Sequence, residues 1–195
     1  MEWTIPLQKL EVDKLQVGGI RYGDKPMAPL AYHDGPIHMP SMNILLPPLY
    51  VKEYDATTGK LRLSLSETAA TAVKLSALQD TLLQLVYQKQ QSWFPGSRRT
   101  AEELRSLFQP FVEGQSLHLY CPSLMRGGSG ISFWKNNEWK HGVEDTTISK
   151  GDVLRVAFRI QGISFQQNVK QDIWTGRFRL QHKILFLFHC GHTAR

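Results

Sequence analysis

Cysteine is nearly absent: Cys121 and Cys190 are the only two in 195 residues. That is too few for a disulfide-built scaffold and fits a reduced, intracellular protein with no bridge between them. No apolar run reaches the roughly 18 residues a membrane span needs. The longest, Ile184 to Cys190, is strand-sized. The start, MEWTIPLQKLEVDK, has no basic stretch followed by an apolar one, so no secretory signal is expected. Carboxylates are scarce late in the chain. Residues 114–195 carry eleven basic and five acidic side chains, whereas residues 1–66 (seven and seven) and 67–113 (five and five) balance. The whole net charge of +6 therefore sits in the last part.

Catalytic patterns are missing too. There is no Asp/Glu constellation for two-metal chemistry, and no nucleophile elbow. The glycine-rich Ser123–Gly130 (SLMRGGSG) lacks the Gly-Lys-Ser/Thr ending of a phosphate loop and reads as a flexible loop able to close over a ligand. The metal-type cluster His189-Cys190-Gly191-His192 has no second tight ligand pair, even with His182, Cys121 or His118 added. Neither an enzyme nor a metal or cofactor is expected.

What is present is a single α+β domain, mainly β, over residues 1–195. Residues 1–66 read as short strands broken by Pro26, Pro29, Pro36, Pro40, Pro47 and Pro48, with a hairpin pairing Leu49–Val51 with Leu61–Leu65. Residues 67–113 are helical. Leu75, Leu78, Leu82, Leu85 and Val86 form one apolar stripe on a helix from about Thr71 to Gln91, stopped by Pro95-Gly96. Trp93 and Phe94 plug the core below its end. A capping box, Thr100 to Glu103, starts a second helix that runs on to Pro110 or just after. Between the helices, Arg98-Arg99 is either a solvated loop tip or a ligand contact.

Residues 114–195 return to strands: Ser116–Cys121, a hairpin, Val153–Phe165 and Arg177–Phe188, with loops at Ser123–Gly130 and Gln166–Thr175. In the hairpin, ISFWKNNEWKH, Asn136-Asn137 supplies the positive φ of a two-residue turn. That register sets Trp134 opposite Trp139, with Ser132 and His141 on their face, and Phe133, Lys135, Glu138 and Lys140 on the other. An indole pair flanked by Lys135 and Lys140 suits stacking on flat, negatively charged polymers; the alternative is a Trp pair buried in a sheet core. In the two long strands Leu154, Val156, Phe158 and Ile160 alternate with Arg155 and Arg159, and Phe178, Leu180, His182, Ile184 and Phe186 alternate with Arg177, Arg179 and Lys183. If the strands are neighbours, these five cations form one stripe. Trp174, just ahead of the last strand, is either an edge aromatic or a stacking residue.

The order of these elements resembles a known family. IRYGDKPMAPLAYHDGPIHMPSMNI, LQDTLLQLVYQKQQSWF, TAEELRSLFQPFV, SKGDVLRVAFRIQGISF and IWTGRFRLQHKILF are similar to the single-stranded-DNA-binding proteins of nucleocytoplasmic large DNA viruses, the group that includes the African swine fever virus protein. The resemblance covers roughly Ile20 to Phe188 and rests on Trp93-Phe94, Gly151-Asp152 and Ile173-Trp174…Phe178…Gln181. It implies an OB-type barrel of about five strands decorated by helices. It also implies binding of single-stranded DNA without sequence preference, service in replication or repair, and a viral replication site in the host cytoplasm or nucleus. RNA is the alternative ligand, and an acidic protein partner on the basic face is another. The tail HCGHTAR is basic, unlike the acidic recruiting tails of many binding proteins, and Arg179 stands where a glycine fits the pattern better.

Overall fold

The computed structural model describes residues 3–168 and 173–193. The first part contains β1 (Thr4–Pro6), β2 (Leu15–Val17), β3 (Met27–Asp34), β4 (Ile37–Met39), β5 (Met42–Leu45), β6 (Leu49–Asp55) and β7 (Lys60–Ser64). Helices α1 (Ala69–Trp93) and α2 (Ala101–Leu107) follow. Then come β8 (Phe108–Gln109), β9 (Val112–Glu113), β10 (Ser116–Tyr120), β11 (Ser132–Lys135), β12 (Glu138–His141), β13 (Asp152–Asn168) and β14 (Ile173–His192). The fold is α+β and mostly strand, and the sheet is open, running β12-β11-β14-β13-β6-β7-β10-β9.

The spine is the β13–β14 antiparallel pair, far longer than the other ladders because its edges are shared out. Along β13 the free edge pairs in turn with β6, β5 and β3; along β14 it pairs with β11 and β8. Four register shifts interrupt the pair. Three of them insert a single extra residue and the one beyond Phe165 inserts more, and such bulges add bend and twist that let one ribbon serve several short neighbours. Gly162 sits at the crossing with β3, where a Cβ would lie 2.4 Å from the Ala28 carbonyl oxygen, so only glycine fits.

One core joins the sheet to the helices. Leu75, Leu78, Leu82 and Val86 of α1 are fully buried, and each buried leucine contributes about 1.5–3 kcal/mol. Trp93 and Phe94 close the core, as the sequence predicts: Trp93 is buried and both rings pack edge-on against Phe165. The helix ends at Trp93, and Gly96 just beyond takes φ +91° as the chain turns away. Buried Gln90 then holds the connection to α2: its Nε2 donates to the Arg99 carbonyl (2.7 Å), and its Oε1 accepts from Arg99 N and Ser97 Oγ. A buried amide so satisfied costs little and fixes the loop.

Two element predictions are corrected. Thr100 caps α2 as predicted, with Glu103 N donating to Thr100 Oγ1 (3.2 Å), but α2 ends at Leu107. Phe108-Gln109 leave the helix to pair in parallel with Phe178-Arg179 of β14, so the apolar ring of Phe108 takes a strand position instead of a helical one. The predicted loop Gln166–Thr175 is also shorter, because Gln167 still pairs with Trp174 and Asn168 with Ile173. The rest of that loop, like the last two residues of the tail, lies outside the described residues. Among the described residues no helix is long and apolar enough to cross a membrane.

Candidate nucleic-acid interface

The indole hairpin forms in the predicted register. Asn136 and Asn137 take φ of 54° and 61°, the left-handed pair a two-residue turn requires, and Trp134 stands opposite Trp139. Their ring centroids are 5.2 Å apart. Trp139 is 49% exposed, Trp134 is half-buried, and Phe133 on the reverse face is sealed in the core. The pair therefore lies on the surface.

Sheet register then joins the hairpin to the basic strands. In parallel pairing with β14, Trp134 lies beside Phe188 and Ser132 beside Phe186. Across the next ladder Phe188 faces Arg155, Phe186 faces Ala157 and Lys183 faces Arg159. Directly opposed residues point to the same side of a sheet. One face thus carries Trp139, Trp134, Phe188 and Arg155 in a single row across four strands, with the Arg159–Lys183 pair two rows along.

The stripe continues down the ribbon, where Arg179 faces Ser164, and Arg177 and Arg179 are exposed. Arg155 is held in place by donating its Nε to the Leu46 carbonyl (3.0 Å), and Arg159 reaches toward Asn43 Oδ1 (3.4 Å). Among the described residues no carboxylate forms an ion pair with Lys183, Arg177 or Arg179. Such cations keep their charge available for an external anion.

Sequence reasoning missed Phe186 and Phe188. Strict alternation places Phe186 in the core, yet it is 37% exposed while Leu187 is buried. The cause is a bulge: Phe158 pairs with Ile184 but Ala157 with Phe186, so Leu185 is skipped and the phase flips. Both phenylalanines meet Trp139 edge-on, at 6.1 and 5.4 Å.

Other expectations are corrected. Trp174 is 3% exposed, sealed among Phe94, Phe165 and Phe178, with its indole N–H donating to the Arg177 carbonyl (2.9 Å). No face of that ring is left to stack on a base. Arg99 lies over it, the guanidinium 4.7 Å from the ring, in a cation–π contact that closes the core far along the chain from the hairpin. Arg98 is exposed on the same connection. Lys135 and Lys140 are on the hairpin face away from the indoles: Lys135 Nζ donates to the Thr147 carbonyl (2.9 Å) and Lys140 pairs with Glu138 (3.7 Å). Neither flanks the stacking surface. The segment Ser123–Gly130 is a hydrogen-bonded turn, with Gly128 N donating to the Ser123 carbonyl and Leu124 N to the Val143 carbonyl. A Cβ on Gly128 would lie 2.0 Å from the Pro122 carbonyl oxygen, so the glycine serves close packing.

The C-terminal histidines converge on Asp152. His192 Nδ1 lies 2.8 Å and His189 Nε2 3.4 Å from the same Oδ1, while Ser149 N donates to Oδ2. Burial alone would raise this carboxyl, but those hydrogen bonds outweigh it and hold Asp152 below the ordinary carboxylate range. Among the described residues no group of three His, Cys, Asp or Glu side chains is arranged to hold a metal ion. Both thiols are free, Cys121 buried and Cys190 exposed.

Comparison with protein-family models, with curated proteins and with solved structures returns no match.

Proposed function

We propose that this protein binds single-stranded nucleic acid, DNA in the first instance, without catalysing a reaction on it. The observation that carries the reading is the row Trp139–Trp134–Phe188–Arg155, on the same sheet face as the Arg159–Lys183 pair. Exposed rings suit unstacked bases, at about 1–3 kcal/mol per stacked base, and cations beside them suit phosphates. A duplex, whose bases are already stacked, offers the rings nothing.

An OB-type barrel is supported by strand order. From β6 the path runs to β7 and β10, and from β6 the other way to β13 and β14. All those ladders are antiparallel, so β10 and β14 point the same way. The seam between them is spanned by Tyr120 N donating to His182 Nε2 (3.0 Å). That order matches the partly open five-stranded barrel of oligonucleotide-binding modules. Burial lowers the His182 pKa, so the ring stays neutral and able to accept. Likeness to the viral single-stranded-DNA-binding proteins fits this picture and adds a role in coating replication or repair intermediates, beside other replication proteins.

The test is a competition panel of single-stranded DNA, duplex DNA and RNA against a fluorescent oligonucleotide at two salt concentrations. With about four phosphates neutralised, the log–log salt slope is near −3 and affinity falls roughly fiftyfold from 50 to 200 mM salt. Binding that ignores salt, or a preference for duplex, refutes the reading. If RNA competes better than DNA, the ligand is RNA. Degradation of the oligonucleotide with a divalent metal makes the protein a nuclease. A protein partner with no nucleic-acid affinity makes the basic face a docking surface.

A further inference from the structure

Resting on the single-strand reading, we infer that the β13–β14 face holds its ligand at two separate stations, one for bases and one for phosphates, which a strand of about five nucleotides or more is needed to span. The first station is the aromatic row ending at Arg155 and Phe188. The second is at Ser164 and Arg179, nine residues further along on either strand. At about 3.3 Å per residue the path along the ribbon between them is ~30 Å, and the two register shifts on the way bend it, so the direct separation is shorter. Between them the Arg159–Lys183 pair gives way to the uncharged Gly162–Gln181 pair.

The second station differs from the first in chemistry. It is a groove of about 820 Å³ between the α2–β8 segment and the ribbon, with Lys25, Arg177 and Arg179 set among Ser106, Gln109 and Gln166. Asp24 is its one carboxylate among the described lining residues. Its aromatic rings, Phe108, Phe165 and Phe178, are buried in its floor and offer no stacking face. A net-positive groove lined by hydroxyls and amides, without a free ring, fits the phosphates of the strand whose bases are stacked at the first station. A single strand drawn out with its bases apart advances roughly 6 Å per nucleotide, nearly twice the 3.4 Å of a stacked strand. About five steps along the ribbon therefore connect the stations, within the range of about 4–16 nucleotides for one binding module.

Fluorescence anisotropy with a thymidylate trimer, hexamer and decamer tests this. Wild-type affinity is expected to jump between trimer and hexamer and change little from hexamer to decamer. The Arg177→Ala/Arg179→Ala double variant binds the trimer like wild type and loses about tenfold or more on the hexamer, while Arg177→Lys/Arg179→Lys restores most of it. Trp139→Ala weakens every length. Equal losses on trimer and hexamer in the double alanine variant, or parity with wild type at every length, overturn the two-station arrangement and leave single-strand binding standing. No wild-type binding at any length removes that reading and this inference together.

Discussion

Lys183 stands directly opposite Arg159 in the β13–β14 ladder, two cations side by side on an exposed face. Like charges so placed destabilise a sheet by about 0.2–1 kcal/mol. Lys183→Gln should therefore leave the free protein as stable as before or slightly more so in low salt, by thermal melting. The same change should weaken oligonucleotide binding and make the salt slope shallower by about 0.7.

Trp139 and Phe133 sit on adjacent strands of one hairpin but on opposite faces. Trp139→Ala should reduce single-strand affinity by about 1–3 kcal/mol with little change in melting temperature. Phe133→Ala removes a fully buried ring and should cost about 3–5 kcal/mol of stability. Paired anisotropy and denaturation measurements check both. If Trp139→Ala unfolds the chain, the indole is structural.

The hairpin turn depends on two left-handed residues in succession. Asn136→Val and Asn137→Val should each cost about 1–2 kcal/mol locally, because a β-branched side chain collides with its own backbone there. Coupling between the two indoles in the near-ultraviolet circular dichroism should fade, and oligonucleotide affinity should fall with it. Asn137→Gly should preserve both signals.

Asp152 gives the protein an acid-sensitive clasp. Its carboxyl is held below its unfolded value, so its contribution to stability is complete above the unfolded pKa near 4 and is lost as pH falls through the lower folded value. Urea unfolding from pH 6 down to pH 2 should show this loss, and Asp152→Asn should flatten it. The variant should also be less stable at neutral pH, since Ser149 N, His189 and His192 all lose a charged acceptor.

Thiol chemistry separates the two cysteines. Burial pushes the Cys121 thiol up to about 12, while Cys190 is exposed. A thiol reagent at pH 8 should titrate one group rapidly in the native protein and both after denaturation. Cys190→Ser should abolish the fast phase.

Much of the local structure was legible in the chain. Two successive asparagines between aromatic runs dictate a tight hairpin, Thr100 and Glu103 dictate a helix start, and leucines at helical spacing dictate the α1 stripe. Alternation in Leu154–Ile160 placed Arg155 and Arg159 outside correctly, because every second residue there is unambiguously apolar. These are short-range effects, decided by a residue and its near neighbours.

Tertiary structure decided the rest. The run Ile184–Phe188 is apolar throughout, so it carries no phase, and only the register shift in its pairing with β13 turns Phe186 outward. Trp174 is internal because Phe94, Phe165 and Phe178, from three separate segments, close around it. Phe108-Gln109 leave a helical pattern because a free edge of β14 offers backbone hydrogen bonds at that point. The sequence by itself determined which strands have a cationic side. Which rings share that side depended on pairing between distant segments, a cooperative property no local pattern encodes.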